Sequence, residues 1–246
     1  MGRWCDWDGW QTGKSRVMQL VALLAASTCF SRIVLFVRAE STLWHSLPAA
    51  HQLKITQTVV DFANQDSLQK TILFEMQQTM VFEMQSTPNA AFNCLGTTYS
   101  DAGSEKEFRR IDYEIPLAFA RLYKQTASSK SPAMQTSFHL VTSGGADPAS
   151  YFLYPRTKGE LERDITALSF DNLVIYHPGL LLFNEDEQRT GKPRYLEAFA
   201  INVARMGWIK SASCTTDQLA KTIVMKAEDG TRRGVEVVAN SSIILN

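Results

Sequence analysis

The stretch from Phe138 to Glu162, FHLVTSGGADPASYFLYPRTKGELE, constrains the fold of this chain more than any other. It opens with a short, mostly apolar run, Phe138–Val141, which predicts a strand buried in a parallel sheet. A loop rich in glycine, aspartate, proline and serine follows, and these residues favour turns. Pro155 then suits the first turn of a helix, where its missing N–H costs nothing. The pattern predicts a strand, a loop and a helix within an α/β fold.

Tyr154 and Lys158 are four residues apart, so a helix places them on one face. A lysine ammonium beside a phenol favours the phenolate, which makes Tyr154 a proton donor suited to neutral pH. Ser143 follows the predicted strand and is placed to bond the oxygen that Tyr154 protonates. The alternative is an ordinary surface tyrosine and lysine, but the preceding strand and serine favour the catalytic interpretation.

This arrangement resembles the Ser…Tyr-x-x-x-Lys site of the short-chain dehydrogenase/reductases. The segments Ser143–Asp147, Phe152–Tyr154 and Lys158–Glu162 resemble its atypical branch, typified by the Tat-interacting-protein oxidoreductase and its fungal mitochondrial relatives. The segment Phe92–Thr98 is a further specific match. The resemblance implies a Rossmann-like, doubly wound parallel sheet, in one domain over residues 1–246.

The resemblance also implies an NADPH-dependent oxidoreductase acting on a carbonyl or hydroxyl substrate that the sequence does not identify. Ser143 would polarise the carbonyl, Tyr154 would protonate it, and Lys158 would adjust the tyrosine and hold the cofactor ribose. No metal site is expected. The positions that the resemblance assigns to cofactor binding are Gly13, Arg38, Asp61, Leu95, Gly96, Thr97, Lys158, Pro178 and Gly179.

Three positions refine the cofactor expectation. Arg38 follows a predicted strand at Ile33–Val37, where a guanidinium pairs bidentately with a 2′-phosphate, so NADP is expected; a solvent-facing arginine is the alternative. Asp61, in a strand predicted at Thr58–Phe62, resembles an aspartate that approaches the adenine. His177 stands where the family has an arginine in an Arg-Pro-Gly segment beside the nicotinamide.

The start of the chain departs from the family pattern. In the family, a strand and a Gly-x-x-Gly-x-x-Gly turn precede the first helix, so that backbone N–H groups approach the pyrophosphate. Here Gly13 matches the last glycine, Trp10 stands at the middle position, and residues 1–11 do not read as a strand. Without that central strand, its two neighbours lose a ladder partner. A misassigned or alternatively spliced start is favoured over an irregular substitute strand at Arg3–Asp8.

Further along, the segment Phe108–Tyr123 has apolar residues at helical spacing and predicts a helix that Pro116 kinks. Asp112 in this helix resembles a polar residue that related enzymes keep beneath the active site. Residues 125–136 are rich in serine and lysine and predict a surface loop. Residues 195–246 are expected to form a small segment on the substrate side.

Composition limits the partners and the compartment. Lysine plus arginine and aspartate plus glutamate each number 25, so the formal net charge is zero and there is no electrostatic footprint for nucleic acid. The four scattered cysteines lack the spacing of a metal site, and reduced thiols predict a cytoplasmic protein. Association with the mitochondrial outer membrane is the alternative.

The apolar stretch Val17–Val37 has two interpretations. It has the composition of a membrane span, but Arg32 interrupts it, and the β-branched run that follows predicts a helix followed by a strand. Membrane association therefore stays the alternative.

Two other functions compete with the reductase hypothesis. One is a non-catalytic, NADP-sensing protein that binds a regulatory protein partner. The other is an inactive isoform, because the first strand and the glycine turn are incomplete.

Overall fold

The computed structural model describes residues 11–37, 39–40, 42–61, 64, 66–67, 69–71, 90–130, 135–182 and 213–244. The strands are β1 Ile33–Val37, β2 Ile55–Val59, β3 Ala90–Asn93, β4 Ser137–Val141, β5 Asn172–His177, β6 Leu180–Leu182, β7 Ser213–Thr215 and β8 Gly234–Ala239. The helices are α1 Gln11–Ala26, α2 Ala49–Gln52, α3 Tyr99–Ala102, α4 Glu105–Arg109, α5 Ile115–Lys130, α6 Leu153–Thr166, α7 Thr216–Glu228 and α8 Asn240–Ile244. A 3₁₀ turn lies at Leu43–Ser46 and a π-helical turn at Arg110–Glu114.

The strands pair in parallel. β3, β4, β5 and β8 form a four-stranded sheet in that order, while β1 pairs with β2 and β6 with β7. The central strands β4 and β5 are buried on both faces, which explains why they read as nearly continuous apolar runs. The predicted α/β architecture with a parallel sheet is confirmed.

Helices cover both faces of the four-stranded sheet. On one face, α5 and α6 contribute Leu117, Ala120, Leu161 and Ile165 to a core that includes Phe138. On the other face, a second core draws its buried apolar residues mainly from α1, β5 and α7, namely Leu20, Leu24, Val174, Tyr176, Ile223 and Val224. The apolar surface of α1 therefore packs inside the protein, as the prediction of a helix before β1 requires. None of the helices in the described ranges is long and apolar enough to cross a membrane.

The ladder is interrupted between β1 and β3. In the described residues, β1 pairs with β2 and β3 with β4, and no ladder joins the two pairs. The strands nevertheless share a core, because Phe30, just before β1, lies edge-on to Phe92 of β3 with ring centroids 6.3 Å apart. This is where the family pattern has its first strand. The substitute strand considered at Arg3–Asp8 lies outside the described residues.

β2 begins earlier than the sequence predicts. The prediction was Thr58–Phe62, and the structure has Ile55–Val59, paired with β1 from Ile33 opposite Ile55 to Val37 opposite Val59. The cause is the partner strand, because a parallel ladder requires both strands to run through the same register. Asp61 consequently lies two residues beyond the strand, at its carboxyl end.

The helix predicted at Phe108–Tyr123 is longer and less regular than expected. Helical structure runs from Glu105 to Lys130, so part of the loop predicted at residues 125–136 is helical. The expected irregularity is a π-helical turn that ends two residues before Pro116. Pro116 has no N–H to donate to the carbonyl of Asp112, and the wider π turn changes the hydrogen-bonding pattern where that donor is missing.

His139 lies at the centre of a buried polar network between β4 and β5. Its Nδ1 lies 2.9 Å from the Tyr176 hydroxyl, and its Nε2 lies 3.0 Å from Ser137 Oγ. Asn172 Nδ2 donates to that same serine oxygen at 2.9 Å. Phe92 stacks on the imidazole with centroids 4.9 Å apart. Burial lowers the pKa of His139 to about 3, so the ring is neutral in the folded protein.

We expect this histidine to make the fold sensitive to acid. Because its pKa in the unfolded chain is near 6.5, the unfolded state binds more protons below that pH, and the free energy of unfolding falls as the pH drops from about 6.5 towards 3. At pH 5 the loss is about 2 kcal/mol. Urea unfolding of His139→Gln at pH 7 and pH 5 should show less acid sensitivity than the wild type. His45→Gln, a replacement of the same kind at an exposed position, is the control variant.

Candidate functional site

The predicted site residues collect at one edge of the four-stranded sheet. Gly96 and Thr97 follow β3, Ser143 follows β4, and Pro178 with Gly179 follows β5. These strands are parallel neighbours, so their carboxyl ends lie at the same edge. In open α/β sheets, ligands bind in the crevice outside that edge.

Helix α6 carries the tyrosine and the lysine of the motif. Tyr154 is its second residue and is 43% exposed, whereas Lys158, one turn later, is buried. The Lys158 ammonium lies 6.0 Å from the centroid of the Tyr154 ring. The ring centroids of Tyr154 and Phe108 are also 6.0 Å apart. The two site residues therefore share a face of the helix, as their spacing predicts.

Lys158 forms a buried ion pair with Asp112 of the π-helical turn. Its Nζ lies 2.6 Å from Asp112 Oδ1, and the side chains are 4% and 0% exposed. The backbone N–H of Thr97 donates to Asp112 Oδ2 at 2.7 Å. Burial raises the pKa of Asp112, while the Lys158 ammonium and the Thr97 N–H favour the carboxylate and act in the opposite direction. The pair anchors the ammonium next to the backbone that follows β3.

Gly96 borders this ion pair. A Cβ at that position would lie 3.3 Å from Lys158 Nζ and 3.4 Å from Asp112 Oδ1. A side chain would therefore crowd the ammonium from above, and the glycine leaves the backbone after β3 open to a ligand.

Ser143 has an unused polar atom. Its Oγ is buried and has no hydrogen-bond partner in the described part of the chain. A hydroxyl can donate one hydrogen bond and accept two, and most buried hydroxyls have a partner. Ser143 Oγ is therefore free to bond a ligand at the end of β4.

A second polar cluster joins α6 to the ends of β4 and β5. The Thr142 hydroxyl donates to Glu162 Oε1, and His177 Nε2 lies 2.9 Å from the same oxygen. Glu162 is not among the site residues that the sequence predicts. Its signal is the spacing, since Tyr154, Lys158 and Glu162 follow one another at intervals of four.

The remaining predicted cofactor positions have separate surroundings. Gly13 lies in the first turn of α1, Asp61 follows β2, and Arg38 lies outside the described residues. Leu95 is half-buried against the α5–α6 core, so its side chain contributes to packing.

Around the Pro-Gly turn, the Gly144 N–H donates to the Pro178 carbonyl at 3.3 Å, and the Gly179 N–H donates to Asn240 Oδ1 at 2.8 Å. These backbone groups bond protein atoms.

The loop after Ser143 packs tightly on α6 at Gly159. The Asp147 N–H donates to the Pro155 carbonyl at 3.0 Å. A Cβ at Gly159 would collide with the backbone of Asp147 and Pro148 and lie 2.6 Å from Pro148 Cδ.

We expect Gly159→Ala to lower the free energy of unfolding by about 1–3 kcal/mol, although alanine favours helices. Gly145→Ala is the control for chemical denaturation, because a Cβ at Gly145 meets nothing within 4 Å; equal stabilities would contradict the packing.

This chain is similar in sequence to fungal and rat proteins. No family model matches it. The mitochondrial protein fmp52 of Aspergillus fumigatus is 30% identical over 190 residues, which are 74% of this chain and 72% of that protein. The rat protein HTATIP2 is 31% identical over 182 residues, 74% of this chain and 63% of HTATIP2. The mitochondrial protein FMP52 of Candida albicans is 37% identical over 136 residues, 54% of this chain. The matches span between 56% and 72% of these relatives' lengths.

Solved structures share the fold. A short-chain dehydrogenase/reductase variant from Serratia marcescens superimposes with a TM-score of 0.59 at 13% identity, covering 93% of both chains. ElxO, solved with NADP bound, gives a TM-score of 0.56 at 12% identity and covers 93% of this chain and 94% of its own. At these identities the likeness supports the fold.

The comparisons correct one prediction and confirm another. The cytoplasmic location is wrong, because the fungal relatives are named as mitochondrial proteins, and these names point to the mitochondrion. The resemblance to the atypical branch of the short-chain dehydrogenase/reductases is confirmed by the extended matches to fmp52 and HTATIP2. The chain therefore belongs to the family of FMP52 and HTATIP2, a branch of the atypical short-chain dehydrogenase/reductases.

Proposed function

We propose that this protein binds NADPH and reduces a carbonyl substrate at the carboxyl edge of β3, β4 and β5. The observation that carries the proposal is the buried hydroxyl of Ser143, which has no hydrogen-bond partner among the described residues, at the edge where α6 presents Tyr154 and anchors Lys158. Most buried hydroxyls have a hydrogen-bond partner, and a ligand oxygen at this edge would supply one for Ser143.

The side chains divide the chemistry between them. The Ser143 hydroxyl donates a hydrogen bond to the carbonyl oxygen of the substrate, and the exposed Tyr154 hydroxyl delivers the proton. Lys158 lies one helical turn away and keeps its ammonium near the tyrosine because Asp112 holds it there. When bound, NADPH supplies the hydride, which is chemistry that no side chain can provide.

The residues at the edge also fit a dinucleotide. Gly96 brings a backbone without a side chain beside the Lys158 ammonium, since a Cβ there would lie 3.3 Å from Lys158 Nζ, and we expect Lys158 to bond ribose hydroxyls. The preference for NADPH over NADH rests on Arg38, which directly follows β1, and on the likeness in fold to the NADP-bound ElxO. A guanidinium there recognises the 2′-phosphate that distinguishes the two cofactors.

The test is a fluorescence titration of the purified chain with NADPH and with NADH. We expect micromolar or tighter binding of NADPH, worth about 8 kcal/mol or more, and weaker binding of NADH. NADPH at about 100 times its dissociation constant should add about 2.7 kcal/mol to the free energy of unfolding. A single cooperative melting transition would support one domain over residues 1–246.

Turnover separates the proposal from its alternatives. NADPH consumption with a panel of aldehydes and ketones supports a reductase. Tight NADPH binding without consumption of any carbonyl favours the non-catalytic, cofactor-sensing protein. Absence of binding together with a broad melting transition contradicts the proposal and favours the inactive isoform.

A further inference from the structure

We propose that Glu162 is a positioning residue, which fixes the separation between the helix that carries Tyr154 and the strand end that carries Ser143. The inference rests on the proposed function for its catalytic consequence, but its structural part stands on contacts around Glu162 alone. These contacts connect α6 to two neighbouring strands at the edge where the site lies.

Glu162 lies on the same face of α6 as the tyrosine and the lysine of the site. Tyr154, Lys158 and Glu162 follow one another at i, i+4 and i+8, so they lie in one row along α6. The first is exposed at the edge of the sheet, the second pairs with Asp112, and the third bonds the strand ends. This row connects α6 to the rest of the site.

Glu162 joins the ends of two neighbouring strands. Thr142 is the residue directly before Ser143, and His177 is the last residue of β5. Both side chains bond the same carboxylate oxygen, Glu162 Oε1. One oxygen therefore sets where both strand ends lie relative to α6.

Backbone hydrogen bonds also connect the ends of β4 and β5. The Thr142 N–H donates to the Tyr176 carbonyl at 3.0 Å, and the Gly144 N–H donates to the Pro178 carbonyl at 3.3 Å. These bonds hold Ser143 between them and extend the β4–β5 ladder beyond the last paired residues. If Glu162 is removed, the link through its carboxylate is lost and the longer bond from the Thr142 hydroxyl to the Tyr176 carbonyl, 3.4 Å, is what remains of the side-chain contact. We therefore expect these two amides to open more often.

The burial of the cluster supports a fixed geometry. The Glu162 and His177 side chains are 16% and 21% exposed, so the contact is largely shielded from water. Glu160, two residues earlier on α6, bonds Arg109 at 2.7 Å with a similar exposure of 20%, but it points to a different element. Glu160 is therefore a matched control that removes the same charge from the same helix.

The experiment measures amide hydrogen exchange of the apo protein by NMR, together with steady-state kinetics. In Glu162→Ala, the Thr142 and Gly144 amides should exchange about tenfold faster or more than in the wild type. The kcat should fall by about 10²-fold with KM and the NADPH dissociation constant within about threefold, because misplacing reacting groups costs turnover rather than binding. Glu162→Gln keeps the accepting oxygen and should recover most of both losses.

The outcomes are separable. Unchanged exchange at Gly144 in Glu162→Ala, or an equal increase in Glu160→Ala, overturns the proposal. Faster exchange in Glu162→Ala in a protein that consumes no carbonyl substrate supports the positioning role and contradicts the reductase function. If Glu162→Ala fails to fold, Thr142→Val decides, since it removes one hydroxyl at nearly constant shape. It should still speed exchange at Gly144, and unchanged exchange there overturns the proposal.

Discussion

Replacing Tyr154 with phenylalanine should lower the turnover of a carbonyl substrate by about 10³-fold and leave the NADPH dissociation constant within about twofold. The change removes one hydroxyl and keeps the ring that lies against Phe108. Tyr154 is 43% exposed, so its hydroxyl does not hold the core together. The loss should therefore be confined to the proton that the hydroxyl delivers, and melting temperatures should match the wild type.

A neighbouring tyrosine provides the control for this experiment. Tyr151 lies three residues earlier, before the start of α6, and is 98% exposed, so Tyr151→Phe removes a hydroxyl near the site without touching the proposed chemistry. Its kcat and KM should match those of the wild type. If Tyr154→Phe keeps more than about a tenth of the turnover, another group delivers the proton and the role assigned to Tyr154 is wrong.

The part of the fold that could be predicted is the part encoded locally. The strand before Ser143 and the helix that starts near Tyr154 follow from an apolar run, turn residues and one proline placed in the first helical turn. The shared face of Tyr154 and Lys158 follows from their spacing alone. These features need no knowledge of any distant partner, which explains why the prediction succeeds there.

The parts that could not be predicted depend on distant partners. β2 begins at Ile55 because β1 sets its register, and nothing in residues 55–62 records that pairing. The ion pair of Lys158 with Asp112 joins α6 to a π turn on a different helix, and Glu162 finds its two partners at the ends of two strands. Spacing identifies which residues share a face, but it does not identify what that face meets.

The prediction of a cytoplasmic location was wrong for a different reason. Unpaired cysteines separate oxidising from reducing environments, and they do not separate one reducing compartment from another. Within the described part of the chain, Cys29, Cys94 and Cys214 form no disulfide. The fungal relatives, rather than the thiols, point to the mitochondrion.

The largest effect on stability is expected at Asp112. Asp112→Ala should lower the free energy of unfolding by about 3–5 kcal/mol, because it leaves the Lys158 ammonium buried without its counter-charge. The Lys158 side chain is 4% exposed, and the Thr97 N–H loses its acceptor at the same time. Urea unfolding at neutral pH measures the loss. Asp217→Ala, which breaks an exposed pair with Lys221, should cost less than about 1 kcal/mol.

A double replacement separates the cost of the orphaned charge from the value of the pair. If Asp112→Leu is combined with Lys158→Met, no charge is left buried, and most of the stability should return although the ion pair is gone. Turnover should not return, because the ammonium beside Tyr154 is absent. If Asp112→Ala lowers the free energy of unfolding by no more than Asp217→Ala does, the pair is not shielded from water. The role of Asp112 in anchoring Lys158 is then wrong. Recovery of stability without recovery of turnover would show that this buried pair is kept for the site and not for the fold.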